Sequence, residues 1–179
     1  MDNRPTLADP ALPAILLALA SAGTLGGALF FQYALGYAPC VLCIWQRWPY
    51  VAVLAFSMLV LLLRRSRAAH SHVVGAALLA ASGVALLVGA GIAAFHVGVE
   101  QHWWAGTAGC GVTSAATSLE ELRAQVLAAP VTRCDEVPWA LFGISMAGYN
   151  TVIALALSVF AFAAARTAFD GSPVSRKTA

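Results

Sequence analysis

Apolar residues fall in four long runs free of Asp, Glu, Lys and Arg, at about Ala11–Phe31, Trp48–Leu63, Val73–Phe95 and Val137–Ala165. A helix needs about 20 apolar residues to cross a bilayer. The second run is short until the turn from Cys43 to Arg47 is added. Lipid offers no hydrogen bonds to a backbone, so a spanning element must be a helix or part of a closed barrel. No alternating pattern of the barrel kind is present. The pattern predicts an all-α fold, a single four-helix membrane bundle over residues 1–179 with spans at about 11–31, 44–63, 73–95 and 137–165. Longer segments at about 32–43 and 96–136 join spans one to two and three to four.

Within the second of these segments, Ser118 and Glu121 have capping-box spacing and open a short helix over Leu119–Ala128, with Pro130 ending it. Leu119, Leu122 and Val126 share one face, which suits a helix lying on the bilayer surface. Small residues four apart, Gly23 with Gly27 and Ala90 with Ala94, suggest close helix packing. The first span is not read as a cleaved leader: its flank carries Asp2 and Asp9 beside Arg4, and no Ala-x-Ala site closes it.

Composition agrees with membrane residence, since 60% of residues are hydrophobic and only 10% charged. So few charges exclude a disordered chain, a coiled coil and a nucleic-acid-binding surface. Their placement sets an expected orientation. Arg64, Arg65 and Arg67 lie between spans two and three, and Arg166, Arg176 and Lys177 follow span four. Glu100, Glu120, Glu121, Asp135 and Glu136 against Arg123 and Arg133 mark the segment between spans three and four. The positive-inside rule then places both termini in the cytoplasm and the two longer loops outside.

The four cysteines, Cys40, Cys43, Cys110 and Cys134, all fall on the expected outer side. Three pairings are open to them, and disulfides persist in such a compartment. Two structural staples are one reading. A bond within Cys40-Val41-Leu42-Cys43 would close too short a loop to constrain much chain entropy, so a labile, exchanging pair is the other. A zinc site lacks a second close pair, and haem attachment lacks His after Cys43, where Ile44 stands.

Arg47 lies one helical turn beyond Cys43. It either snorkels to headgroups or faces a ligand at membrane depth and donates to a carbonyl that gains negative charge. His96 closes the third span and is either interfacial or part of that site, while His102 has less to connect it. The five tryptophans, Trp45, Trp48, Trp103, Trp104 and Trp139, crowd one boundary, as an aromatic belt or as walls of a cavity. Apart from Arg47 the spans hold no acids or bases, which argues against a proton pump or ion-coupled transporter.

The run Cys40-Val41-Leu42-Cys43-Ile44-Trp45-Gln46-Arg47 resembles the Cys-x-Leu-Cys-x-x-x-Arg signature of the disulfide bond formation protein B (DsbB) family. Cys134-Asp135-Glu136-Val137-Pro138-Trp139, followed by Phe142-Gly143-Ile144-Ser145-Met146, resembles that family's approach to its fourth span. The resemblance covers the four spans, both outer loops and a cysteine pair in each. It implies a multi-pass oxidoreductase of the bacterial inner membrane that reoxidises a periplasmic, thioredoxin-like, DsbA-like dithiol oxidase and passes two electrons to a membrane quinone. By motif position, Cys110 and Cys134 would take electrons from the partner, with Cys110 the sulfur attacked. Cys40 and Cys43 would couple to quinone, with the Cys43 thiolate against the ring. Arg47 matches the family's quinone-site arginine and His96 its nearby histidine; the quinone expected is ubiquinone before menaquinone. His96-Val97-Gly98-Val99-Glu100 and Trp103-Trp104 depart from the core signature and resemble a branch of the family. Two alternatives are a quinone or naphthoquinone-epoxide reductase of the vitamin K epoxide reductase type, whose C-x-x-C sits in a different span order, and a non-catalytic membrane scaffold with structural disulfides.

Overall fold

A computed structural model describes residues 9–65, 71–107, 110, 118–128 and 132–171. Its helices are α1 (Ala11–Tyr33), α2 (Val41–Trp45), α3 (Arg47–Arg65), α4 (Ser71–Glu100), α5 (Leu119–Ala128) and α6 (Met146–Asp170), with a hairpin of β1 (Ala140–Leu141) and β2 (Ile144–Ser145) before α6. Four helices are long and apolar enough to span a membrane: α1, α2 with α3, α4 and α6. The chain is an all-α four-helix membrane bundle. The basic residues Arg67, Arg176 and Lys177, the acids and bases before Asp9, and Pro130 lie outside the described residues.

The helices neighbour one another in the order α1, α3, α4, α6, and α4 with α6 forms the most extensive contact. Alanine dominates their seam: Ala76, Ala90, Ala154, Ala161, Ala164 and Ala168 are buried with Leu79 and Leu86. Small side chains let the backbones approach, which is how helices associate where lipid removes the hydrophobic drive between them. Ser158 on α6 adds a hydrogen bond to the Gly83 carbonyl on α4 at 2.8 Å. By contrast α1 and α6 touch little.

The packing glycines are not those expected. A Cβ on Gly23 or Gly27 would meet nothing within 4 Å, whereas one on Gly83 would press on the Phe162 ring and one on Gly89 on Pro49, each at about 3 Å. Ala90 is buried but Ala94 is exposed, so the close face of α4 passes through Ala93 instead. Four-residue spacing alone cannot say which side of an all-apolar helix faces protein.

Boundaries also shift. The second span is broken at Gln46. Pro49 has no N–H to return to the Trp45 carbonyl, so one helix cannot run through this point. The third span runs on to Glu100 and takes His96 and Glu100 onto one face. The fourth helix starts at Met146 rather than at Val137. Phe142 and Gly143 both have positive φ, 50° and 78°, between paired residues Leu141 and Ile144. That is the two-residue primed turn that suits strand twist, and it uses up the apolar stretch before α6. Ser145 then caps α6 by accepting from the Gly148 N–H. The short helix at Leu119–Ala128 is present; the side chains of Glu121, Leu122 and Val126 lie outside the described ones, so neither its cap nor its full apolar face is described.

Candidate redox site

Cys40 is the N-cap of α2, and its sulfur accepts from the Cys43 N–H at 3.2 Å. Capping therefore brings the two thiols of the C-x-x-C together, and their sulfurs lie 2.8 Å apart. Cys40 is buried and Cys43 half-buried. Its hydrogen bond to Cys43, and then burial, hold the Cys40 thiol well above the usual thiol range. Cys40 is thus the member of the pair that keeps its proton and gives it in hydrogen bonding to the other sulfur.

Cys110 and Cys134 form a disulfide with Cα atoms 4.9 Å apart, the pairing that the resemblance implies. Cys110 itself is pinned by its N–H to the Thr107 carbonyl at 2.8 Å, and Cys134 N–H reaches the Cys110 carbonyl at 3.2 Å. Cys40, Leu42, Val99, Cys110 and Cys134 pack in one buried cluster, so both pairs occupy the same end of the bundle. Ligating atoms of Cys40, His96 and Cys134 fall within 4.8 Å of one another. Such a set could hold a soft metal ion only with Cys134 released from its disulfide.

His96 reaches this cluster because α4 continues past the expected span end. Its Nε2 lies 3.6 Å from Cys40 Sγ and 4.0 Å from Glu100 Oε1. Its Nδ1 lies 2.9 Å from Gln46 Nε2. Asn150 Nδ2 donates to Gln46 Oε1 at 2.6 Å, and the Tyr50 hydroxyl donates to Asn150 Oδ1 at 2.6 Å. The Ser145 hydroxyl donates to Glu100 Oε2.

A cavity of about 410 Å³ opens beside these groups, within the range of small-molecule sites. Cys40, Cys43, Arg47, His96 and Glu100 line it, with Phe31 of α1 and Ile153 of α6 among its apolar walls. Residues of both α1 and α6, which touch little, line it. Arg47 extends from the start of α3 and donates to Gln32 Oε1 on α1 at 2.7 Å. This fixes its guanidinium at the cavity wall, with donors left over for a ligand carbonyl. Of the tryptophans only Trp139 lines the cavity, its ring edge-on to Phe31 at 5.2 Å, while Trp45, Trp48, Trp103 and Trp104 are exposed.

Sequence reading therefore named the cysteines, Arg47 and His96, and the structure gathers all of them at one end, with Cys110 reaching the cluster through Cys134. It passed over Gln46, Tyr50, Ser145 and Asn150. Outside the cavity, His102 has a local explanation. With φ 57° it occupies the left-handed position after α4, where His102 N–H bonds to the Val99 carbonyl and Trp103 N–H to the Gly98 carbonyl. This is a Schellman ending.

Comparison with known proteins points the same way. A family model described as "Disulfide bond formation protein DsbB" matches residues 10–164. The chain is 33% identical over 146 residues to disulfide bond formation protein B of Xanthomonas axonopodis pv. citri, covering 80% of this chain and 83% of that one. Against the protein of the same name from Herminiimonas arsenicoxydans it is 33% identical over 121 residues, 68% of this chain and 66% of the relative. A third, from Xanthomonas oryzae pv. oryzae, is 33% identical over 149 residues, 82% of this chain and 84% of its own. No solved structure gives a significant match.

Proposed function

The chain belongs to the disulfide bond formation protein B (DsbB) family of membrane oxidoreductases, and from that premise we propose that it reoxidises a periplasmic thioredoxin-like dithiol oxidase and delivers the electrons to a membrane quinone. The observation that carries this reading is that two cysteine pairs pack against each other, and one of them lines a cavity that also holds a cation. Cys40 Sγ and Cys134 Sγ lie within 4.8 Å, close enough for exchange between the pairs after a small adjustment.

Thiol–disulfide exchange needs in-line attack of a thiolate on one sulfur of a disulfide. A thiolate of the partner attacks Cys110, and Cys134 leaves with the bonding electrons. Cys110 is only 4% exposed, so its sulfur has to be uncovered for the partner to reach it. Cys134 then attacks Cys40 of an oxidised Cys40–Cys43 pair, and Cys43 leaves as a thiolate facing the cavity. The partner's second thiolate resolves the mixed disulfide and frees Cys110. Cys110 re-forms its bond to Cys134, and Cys40 leaves. Each exchange conserves electrons; the pair lost by the partner dithiol ends on Cys40 and Cys43.

The cavity residues fit a quinone head: its volume accepts a substituted ring, its walls are largely apolar, and Arg47 offers donors at a carbonyl position. A quinone supplies an acceptor for those two electrons and two protons. Arg47 binds and polarises, the α1 and α6 side chains exclude water, and the gap between those helices gives access from lipid. Orientation with the cysteine end toward the periplasm of a bacterial inner membrane belongs to the same proposal, supported by the basic residues at the opposite end.

The test is quinone reduction by purified protein supplied with a reduced thioredoxin-like dithiol protein. Cys43→Ser is expected to abolish turnover, and retained turnover would sink the relay. Arg47→Ala is expected to raise the quinone KM by about tenfold, the scale of a charge-assisted hydrogen bond, while exchange with the partner persists.

A further inference from the structure

Four polar side chains from three helices form an unbroken line ending at a reactive sulfur. Tyr50 on α3 bonds to Asn150 on α6, Asn150 to Gln46 in the break between α2 and α3, and Gln46 to His96 on α4. His96 Nε2 faces Cys40 Sγ. A chain of amides and a phenol can be satisfied in either direction, so its sense is set at the ends. The sulfur side of the His96 ring meets acceptors only: the Cys134 backbone carbonyl, Glu100 Oε1 at 4.0 Å, and a Cys40 sulfur whose own proton is directed to Cys43. A bare nitrogen there would have no donor, so Nε2 carries the proton. Nδ1 is then an acceptor, Gln46 must present its amide N–H to it, and its Oε1 must accept from Asn150. Asn150 must in turn accept from the Tyr50 hydroxyl. Every member is paired, as a buried polar network requires.

The geometry points to Tyr50, Asn150 and Gln46 as positioning residues that hold His96 as an Nε2–H donor to Cys40, so that Cys40 is stabilised when it departs as a thiolate. This deepens, and rests on, the exchange sequence proposed above. The step concerned is the attack of Cys110 on Cys134 in the disulfide linking the pairs. The Cys110–Cys134 bond forms, the Cys134–Cys40 bond breaks, and Cys40 keeps the electron pair. No proton moves; the His96 N–H bond to sulfur strengthens as charge develops. The arrangement differs from a nucleophilic triad, in which the acid orients the nitrogen remote from the sulfur. Here the remote nitrogen is held by an amide, and Glu100 sits on the sulfur side with Ser145 on its other oxygen.

The test reads Cys40 alone, in protein with Cys43, Cys110 and Cys134 changed to Ser, by ultraviolet titration of its thiolate in detergent. The other titratable groups at this end are Tyr37 before α2, Arg47 on α3, Glu100 on α4, His102 after it, Tyr149 on α6, and Arg133, Asp135 and Glu136 beside position 134; all are kept. Gln46→Leu or Asn150→Leu should raise the midpoint, lowering the thiolate fraction at neutral pH by about tenfold, the worth of one hydrogen bond to a charged group. Tyr50→Phe, which keeps the ring's packing, should act in the same direction by less. Gln46→Glu should act in the opposite direction, because a carboxylate accepts from Nδ1–H and favours the doubly protonated ring. Unchanged midpoints in the Leu variants with native circular dichroism would overturn the assignment, and so would a rise in Gln46→Glu. General loosening of the site cannot produce the change of sign. Neither quinone nor partner takes part, so failure of the relay itself would show separately, in turnover.

Discussion

At the scale of single residues, the chemistry-bearing side chains were visible in the sequence because their types are rare in their surroundings. Arg47 stands out as the one charge between Asp9 and Arg64, and the cysteines by number and spacing. Gln46, Tyr50 and Asn150 carry no such mark. An uncharged polar residue in an apolar helix acquires meaning only from its partner, and Asn150 lies 104 positions from Gln46. Gly98 was equally silent. The Trp104 ring folds back over it, stacks on Phe95 at 5.7 Å between centroids, and donates from Nε1 to the Phe95 carbonyl at 3.0 Å. A Cβ on Gly98 would stand inside the ring's position. Gly98→Ala should therefore expel Trp104 and cost about 1–3 kcal/mol, the usual penalty for overfilling a packed contact. Thermal unfolding in detergent measures it. In a Trp104→Ala background the same change should cost almost nothing, since the two effects share one contact; an undiminished cost there would locate the damage elsewhere.

At the scale of elements, hydropathy located the four spans but not their ends or faces. Val137–Ser145 is as apolar as a helix start, and only the positive φ at Phe142 and Gly143 turns it into a hairpin. Gly143 is a natural turn residue; Phe142 is not, and its ring at the tip is 91% exposed. Nothing in its type announces a left-handed conformation. Facing is harder still, because residues toward lipid and residues toward protein are both apolar. Gly83 and Gly91 on α4 illustrate this. Gly83 meets Phe162 of α6, and Gly91 meets nothing within 4 Å. Gly83→Leu should therefore separate α4 from α6 and destabilise the bundle by about 1–3 kcal/mol. Gly91→Leu should be neutral or slightly stabilising, because leucine is the better helix former by roughly 0.5–1 kcal/mol. Equal losses at both positions in denaturation would mean that α4 is turned differently in its surroundings.

At the scale of the molecule, the charge distribution and the site argue for one orientation. Arg64 and Arg65 end α3, and Arg64 pairs with Asp9 at 2.8 Å, which ties the start of α1 to the same end. Arg166 lies near the close of α6. At the opposite end Arg133 is taken up by Asp135 and Glu136, and Arg133 in turn holds the Asp135 carboxyl below the usual carboxylate range. At that end Glu100, Glu120, Glu121, Asp135 and Glu136 outnumber Arg47, Arg123 and Arg133, whereas at the other end the described Arg64, Arg65 and Arg166 outnumber Asp9 and Asp170. Uncompensated Lys and Arg are what retain a loop in the cytoplasm. The proposed disulfide exchange with a soluble oxidase requires an oxidising compartment on the cysteine side, so the charge distribution supports the arrangement that the proposed relay needs. With the native cysteines changed to Ser, a cysteine at Glu136 should react with a membrane-impermeant maleimide in intact spheroplasts. One at Arg65 or Gly171 should react only after permeabilisation. Labelling of Arg65→Cys in sealed cells would invert the protein, and with the cysteine pairs then facing a reducing compartment the proposed relay would lose its partner.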